Sequence, residues 1–312
     1  MSAAHGAQSS GGLAFVVNPR AASGHAGEIW RALSAGERRL AGSRGVSASA
    51  PAEAARAIDD ALAAGLRRLI VVGGDGSLHL AANRVLAAGR GGEVELALVP
   101  VGTGSDFART LRLPREPRAA LALAMDSPAR PLDALRVTTA GAGGAQAVTR
   151  YALNVASAGI SGLVDELVNA QRVRSSTAFL TATLTALQRY RPFPAQVEAD
   201  SEPWHDGGVF LLAVANGRSF GKGMRIAPRA EVDDGFADLV LVRPLPGWQV
   251  PLQLPRLYLG RHLGSPYVDW RRARCVRLEP VGPLPPFDVD GETLPSGAAS
   301  FELLPGALRF AW

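Results

Sequence analysis

Cysteine is nearly absent. Cys275 stands alone in 312 residues, which excludes an internal disulfide framework and any metal site built on several thiolates. Histidine is scarce too, and the five present are scattered without the spacing of zinc ligands. Of 33 basic residues only Lys222 is a lysine. The segment around it, GRSFGKGM at 217–224, misses the glycine spacing of a P-loop and lacks the hydroxyl that should follow the lysine. No apolar stretch approaches the roughly 20 residues that span a bilayer. The opening MSAAHGAQSSGG has no basic-then-apolar leader pattern and reads as a small, polar, disordered tail over 1–12. These absences point to a soluble cytoplasmic protein. The net charge of +5 is spread thinly, with 15 basic and 12 acidic residues in 1–133 and 18 and 16 in 134–312. Neither half is therefore a dedicated nucleic-acid surface.

What is present is a change of texture midway. Up to residue 133 short apolar runs alternate with helical patterns: LAFVVNP, a helix over 24–41, GVSAS, PAEAARAIDDALAAG, RRLIVVGG, a helix over 77–89, and VELALVPVG. Apolar strands alternating with helices predict a parallel sheet covered on both faces. Ligands of such sheets sit beyond the carboxyl ends of the strands. After the flexible AGAGGAQA at 140–147, a boundary or a hairpin, strand-like runs with alternating character dominate. One helical stretch near 160–190 interrupts them. The reading is an α/β domain over 13–133 followed by a mostly antiparallel β-sandwich or flattened barrel over 134–312, whose last residues return to the first domain.

Two glycine turns carry the chemistry. Gly73-Gly74-Asp75-Gly76-Ser77 lies between a strand and a helix, and Gly102-Thr103-Gly104 follows the next strand, with Asp106 opening another helix. Glycine lets backbone approach a phosphate, and a helix N-terminus offers unpaired N–H groups. The plain alternative for the first turn is an ordinary strand–helix connection capped by Ser77 or Asp75, and for Asp106 a helix cap. Two such turns on neighbouring strands build one phosphate-sized crevice edged by Asp75 and Asp106.

These residues resemble the diacylglycerol kinase catalytic domain of bacterial lipid kinases, sphingosine kinases and ceramide kinases, and more distantly the NAD kinases and phosphofructokinases. The likeness rests on NPRAASG (18–24), GGDGS, PVGTGSDFAR, NVASAGISG (154–162), VANGRSFGKGMRIAPRAEVDDGFADLVLV (214–242) and DVDGE (288–292) in the family's order. His79, Leu80 and Ser105 depart from the usual pattern, and Ser77 keeps the hydroxyl of the usual threonine.

The resemblance implies an ATP- and Mg²⁺-dependent kinase of diacylglycerol or a related lipid. ATP would be held by Gly73, Gly74, Asp75, Gly76, Ser77, Leu78, His79, Gly102, Thr103, Gly104, Asp106 and Ser49. Asp75 would orient Mg²⁺–ATP, with Asp106 and Asp133 as lesser members of the same network, and Glu292 would be the general base. The turn reading of Asp290-Gly291 explains "DG" but not the glutamate after it. A structural Mg²⁺ is implied at the main chain of Glu231, the carboxylate of Asp234 and the main chain of Phe236. Peripheral contact with the inner membrane surface is expected through the six arginines of 256–277 and through Arg172, Arg174, Arg189 and Arg191, and a homodimer is possible. Two other readings stay open: an NAD kinase-like enzyme with a soluble substrate, and a catalytically silent lipid- or nucleotide-binding regulator.

Overall fold

The computed structural model describes residues 12–37, 40, 43–102, 105–140, 146–169, 190–282 and 286–312. The chain divides into two compact units, one of residues up to Arg130 with Leu308–Trp312, the other Pro131–Ala307.

In the first unit the elements run β1 (Leu13–Val17), α1 (Ala26–Ser34), β2 (Arg44–Ser47), α2 (Pro51–Ala63), β3 (Arg68–Gly73), α3 (Asp75–Ala87), β4 (Glu95–Pro100), α4 (Asp106–Thr110) and α5 (Pro117–Asp126). The strands pair in parallel in the order β2-β1-β3-β4. The tail of the last strand of the chain, Arg309–Ala311, adds a further parallel strand beside β4. Each helix follows its residues. Pro51 opens α2 where a missing N–H costs nothing, and Glu116 caps α5 by accepting from the N–H groups of Arg118 and Ala119. The four residues of β3 from Leu69 to Val72 are sealed on both faces, as a parallel sheet covered by helices requires. The pattern of 24–41 yields a shorter helix than expected, 26–34.

The second unit holds β5 (Ala129–Thr139), β6 (Val148–Ala152), β7 (Val155–Gly159), α6 (Ile160–Asn169), β8 (Phe193–Ala199), β9 (Glu202–Val209), β10 (Leu211–Ala215), β11 (Ala237–Val242), α7 (Val250–Tyr258), β12 (Val268–Ala273), β13 (Cys275–Pro280), β14 (Phe287–Val289), β15 (Glu292–Leu294) and most of β16 (Ala299–Ala311). One sheet runs β12-β11-β10-β7-β14-β15, antiparallel throughout. The other carries β16-β13-β8-β9, with β5 and β6 joined to it through β16. β5 and β6 pair antiparallel, so 140–147 is a hairpin connection.

Residues from both sheets, among them Phe193, Val214, Leu239, Phe287 and Phe301, share one core, which makes this unit a sandwich. Alternate residues of β10 (Leu211, Ala213, Ala215) face a second, smaller core roofed by Ile226, Ala227 and Ala230. The central strands of that sheet are thus apolar on both faces, and their sequence carries no alternation to read.

Candidate active site

The first unit brings three strand ends together. Asn18, just past β1, donates its backbone N–H to Val72 O at 3.0 Å, and its side-chain amide donates to Ser77 Oγ at 3.2 Å. Val101 N–H, just past β4, donates to Gly73 O at 3.0 Å. The two glycine turns therefore lie side by side. A Cβ built on Gly102 would stand 3.0 Å from the Cα of Gly74, tighter than nearly all real Cβ contacts and against backbone, so glycine there favours this close approach. Gly74 caps α3 in an extended conformation with no side-chain cap. The first turn of that thirteen-residue helix thus offers an anion its dipole and its amide end.

Asp75 has a use that its sequence position does not reveal. Its Oδ2 accepts from Asp106 N–H at 2.7 Å and its Oδ1 from Phe107 N–H at 3.3 Å. The carboxylate on the first turn thus caps the helix that follows the second turn, α4, whose own Ser105 makes no side-chain cap. Asp75 ties the two turns into one object. Each carboxylate oxygen accepts more than one donor, so this capping leaves Asp75 able to hold a hydrated cation as well. Asp106 is buried, 5% exposed, and paired with Arg109 at 2.5 Å. The helix behind the turn is backed by Phe107 packing edge-on against Phe310 at 5.9 Å.

Of the residues expected at the nucleotide, Leu78 is 1% exposed and gives its N–H to Gly74 O at 3.1 Å, while His79 is buried with its Nε2 beside the Asn83 amide at 3.3 Å. In an α-helix only about one residue in three can face the rim, and positions 78 and 79 fall on the core side. Ser49 is exposed at the end of β2, on the same side of the sheet as the turns. Thr103 and Gly104 lie outside the described residues, as do Arg172, Arg174 and Arg189.

In the second unit Glu292 opens β15, opposite Val289 across the two-residue turn Asp290-Gly291. Both turn residues have positive φ, +53° and +88°, the geometry of a type I′ hairpin. The hairpin reading and the glutamate are therefore compatible: the turn sets where Glu292 stands. Glu292 is exposed and has no hydrogen-bond or ion-pair partner among the described residues. The hairpin is anchored by Asp290, whose carboxylate accepts from the N–H groups of Leu153 (2.7 Å), Asn154 (3.1 Å) and Val155 (2.9 Å).

Asn154 in turn takes the N–H groups of Asn216 and Gly217 on its carbonyl, and buried Asn216 donates its amide to the carbonyls of Asp133 and Leu153. Asp133, expected as a lesser member of the nucleotide network, accepts from Gly235 N–H and Gly306 N–H at 2.8 and 2.7 Å. Asn18, Asn154, Asn216 and Asp290 were not among the candidate site residues. Their signal was there: each is a polar residue at the end of an apolar run, where a buried amide or carboxylate must have partners.

Asp290→Ala strands three backbone donors. It is expected to cost about 3 kcal/mol of stability, read as a lowered denaturant midpoint. Asp290→Asn, which keeps an acceptor and tolerates positive φ, recovers part of it.

The one carboxylate of the implied structural Mg²⁺ site is already engaged. The carboxylate of Asp234 is ion-paired with Arg272, and it also accepts from Phe236 N–H at 3.0 Å. Arg272 and Arg274 both lie over the Phe236 ring, at 4.9 Å. Arg272 Nε is 4.0 Å from the buried Asp238, whose pKa is raised by burial against the opposing hydrogen bond from Trp270. Positive charge is thus already supplied at this turn by guanidinium groups. Chelation is accordingly expected to leave the thermal midpoint unchanged, while Arg272→Ala lowers it by removing the guanidinium beside Asp234 and Asp238, about 2 kcal/mol in free energy. A midpoint that falls on dialysis against EDTA overturns this reading of the turn.

Comparison with known proteins places this geometry. Residues 12–137 match the diacylglycerol kinase catalytic domain, and residues 154–312 match the YegS C-terminal NAD kinase beta sandwich-like domain. The chain is 36% identical over 261 residues to a "Probable lipid kinase YegS-like" protein of Pseudomonas aeruginosa, covering 82% of this chain and 80% of that one. It is 32% identical over 265 residues to the protein of the same name from Xanthomonas euvesicatoria pv. vesicatoria, covering 82% of each. In fold it is similar to a diacylglycerol kinase of Bacillus anthracis str. Sterne, with a TM-score of 0.69 at 19% identity over 96% of both chains. It is similar as well to yeast NADH kinase, with a TM-score of 0.54 at 9% identity over 96% of this chain and 82% of the other. With both domain models matched in order and relatives above 30% identity over most of its length, the chain belongs to the YegS-like branch of the diacylglycerol kinase catalytic-domain family.

Proposed function

We propose that the protein transfers the terminal phosphoryl group of ATP to the hydroxyl of diacylglycerol or a related lipid alcohol. The observation that carries the proposal is the pair of glycine turns held in backbone contact and laced together by Asp75, in a chain whose relatives are named as lipid kinases. Phosphoryl transfer asks a protein mainly for positioning and charge neutralisation. The uncapped first turn of α3 and the bare backbone at Gly74 and Gly102 receive phosphate oxygens, with Ser77 and Asn18 bordering them. Glu292 accepts the proton of the lipid hydroxyl as its oxygen attacks the terminal phosphorus. The bond from that phosphorus to its bridging oxygen breaks, and ADP leaves. Mg²⁺ bound with the nucleotide would neutralise phosphate charge, and Asp75 would hold its water shell.

The test is incubation of purified protein with radiolabelled ATP, Mg²⁺ and a total lipid extract. Label is expected in the chloroform-soluble fraction, with the acceptor named by mass spectrometry. Label appearing only in a nicotinamide dinucleotide would establish the soluble-substrate alternative. ATP bound but never turned over would establish the silent regulator.

A further inference from the structure

The helix α7 is inside out. Four of the five large apolar side chains that stand exposed among the described residues lie within twelve residues: Trp248 (70%), Leu252 (61%), Tyr258 (47%) and Leu259 (59%). Trp248, Leu252, Pro255 and Leu259 recur at spacings of four, three and four, so they form one stripe along the helix and the turn that leads into it. The opposite side is the one that meets the protein, where Leu257 packs on the smaller core and the amide oxygen of Gln253 is buried. A segment that turns a glutamine oxygen inward and shows water a tryptophan and two leucines has not been shaped by its own core.

Within the segment that carries this stripe the charge has one sign. Residues 239–268 contain three arginines and no Asp or Glu. Arg243 is engaged with Asp269. Arg256 and Arg261 are exposed and make no ion pair among the described residues. Exposed Arg225 joins them at the end of the helix, its backbone N–H bonded to Leu257 O at 3.1 Å. The segment is firmly seated: His262 is buried with its Nε2 2.9 Å from Ile226 O, and Arg261 N–H closes on Arg256 O at 2.7 Å. The remaining arginines of the 256–277 cluster are used differently, with Arg272 and Arg274 turned to the 234–236 loop.

We propose that the Trp248–Leu259 face is a docking surface for an anionic lipid bilayer, with the stripe entering the interfacial region and Arg225, Arg256 and Arg261 meeting phosphate headgroups. Tryptophan and tyrosine favour that zone, having one apolar and one polar end. A short amphipathic helix held parallel to the membrane needs both apolar burial and basic attraction to bind. A second copy is a poor occupant: a two-fold contact puts the same patch against itself, which brings three arginines toward three others with no carboxylate in the segment to offset them. The inference rests on the lipid-acceptor reading above, because an enzyme whose acceptor lies in a bilayer must reach its surface.

The test is flotation of the full chain, without nucleotide, on vesicles of phosphatidylcholine and phosphatidylglycerol in equal parts and on phosphatidylcholine alone. Binding is expected on the anionic vesicles, weakened by salt. Trp248→Glu with Leu252→Glu lowers the partition coefficient about tenfold or more, and Arg256→Ala or Arg261→Ala lowers it about fivefold each. The thermal midpoint stays unchanged, since all four side chains are exposed. Equal flotation on both vesicles, or a double variant that floats like the parent, overturns the proposal. So does a dimer in ultracentrifugation that the double variant abolishes while the parent ignores vesicles. Phosphate transfer to lipid in detergent micelles is read separately. Transfer without flotation overturns the docking surface alone, and flotation without transfer supports the surface while overturning the kinase reading.

Discussion

Glu292→Gln is expected to lower kcat for lipid phosphorylation about a thousandfold, with the KM for ATP little changed and the fold intact. The magnitude follows from the role. An alcohol oxygen attacking phosphorus must lose its proton in or near the transition state, and glutamine keeps the shape of the side chain while removing the basic site. The intact fold follows from the surroundings: Glu292 is exposed and its removal leaves no partner unpaired among the described residues. The hairpin that carries it is held by its neighbour Asp290 through three backbone N–H groups. Comparing Glu292→Gln with Asp290→Ala therefore separates chemistry from scaffold, the first losing turnover without stability and the second losing both. A Glu292→Gln enzyme that keeps more than about a tenth of parental kcat removes Glu292 from the mechanism.

Asp75→Ala is expected to act twice. It uncaps α4 by removing the acceptor of Asp106 N–H and Phe107 N–H, which costs about 1–2 kcal/mol. It also lets the two glycine turns separate, and a displacement on the order of an ångström among positioned phosphates costs about a hundredfold in rate. Asp75→Asn divides the two effects. Its amide oxygen still caps one N–H, so most of the thermal midpoint returns. The negative charge does not return, so if Asp75 also holds the nucleotide's cation, activity stays low and the dependence on Mg²⁺ concentration moves upward. Full activity in Asp75→Asn would leave the residue as a helix cap and nothing more.

Much of the fold was legible because it is written in local periodicity. Continuous apolar runs such as LIVV and LALV, alternating with helical patterns, announce parallel strands sealed on both faces, and the sheet of the first unit has that form. The glycine turns were legible for the same reason, being breaks in a strong pattern. The helix after the first turn was read as 77–89 and starts two residues earlier, at Asp75, and which of its side chains face the rim was not legible. Leu78 and His79 were expected on the nucleotide and are buried, because one residue of rotation decides between the rim and the core. The turn at 231–236 looked like a cation site because its own residues are oxygen-rich. The arginine that takes Asp234 comes from β12, paired in register to β11 some 35 residues away. Likewise nothing local to 248–259 marks its apolar stripe as the outer face.

The sequence alone determined the central strands of the first unit, its glycine turns and the family, since these depend on residue periodicity and on motifs short enough to be contiguous. Tertiary structure alone decided what the charged and polar side chains do. A carboxylate has no fixed role until a distant N–H, guanidinium or hydroxyl is brought within about 3 Å of it. Asp75 became the tie between two turns, Asp133 and Asp290 became anchors of the β-rich unit, and Asp234 became the partner of an arginine because strand order brought those groups together.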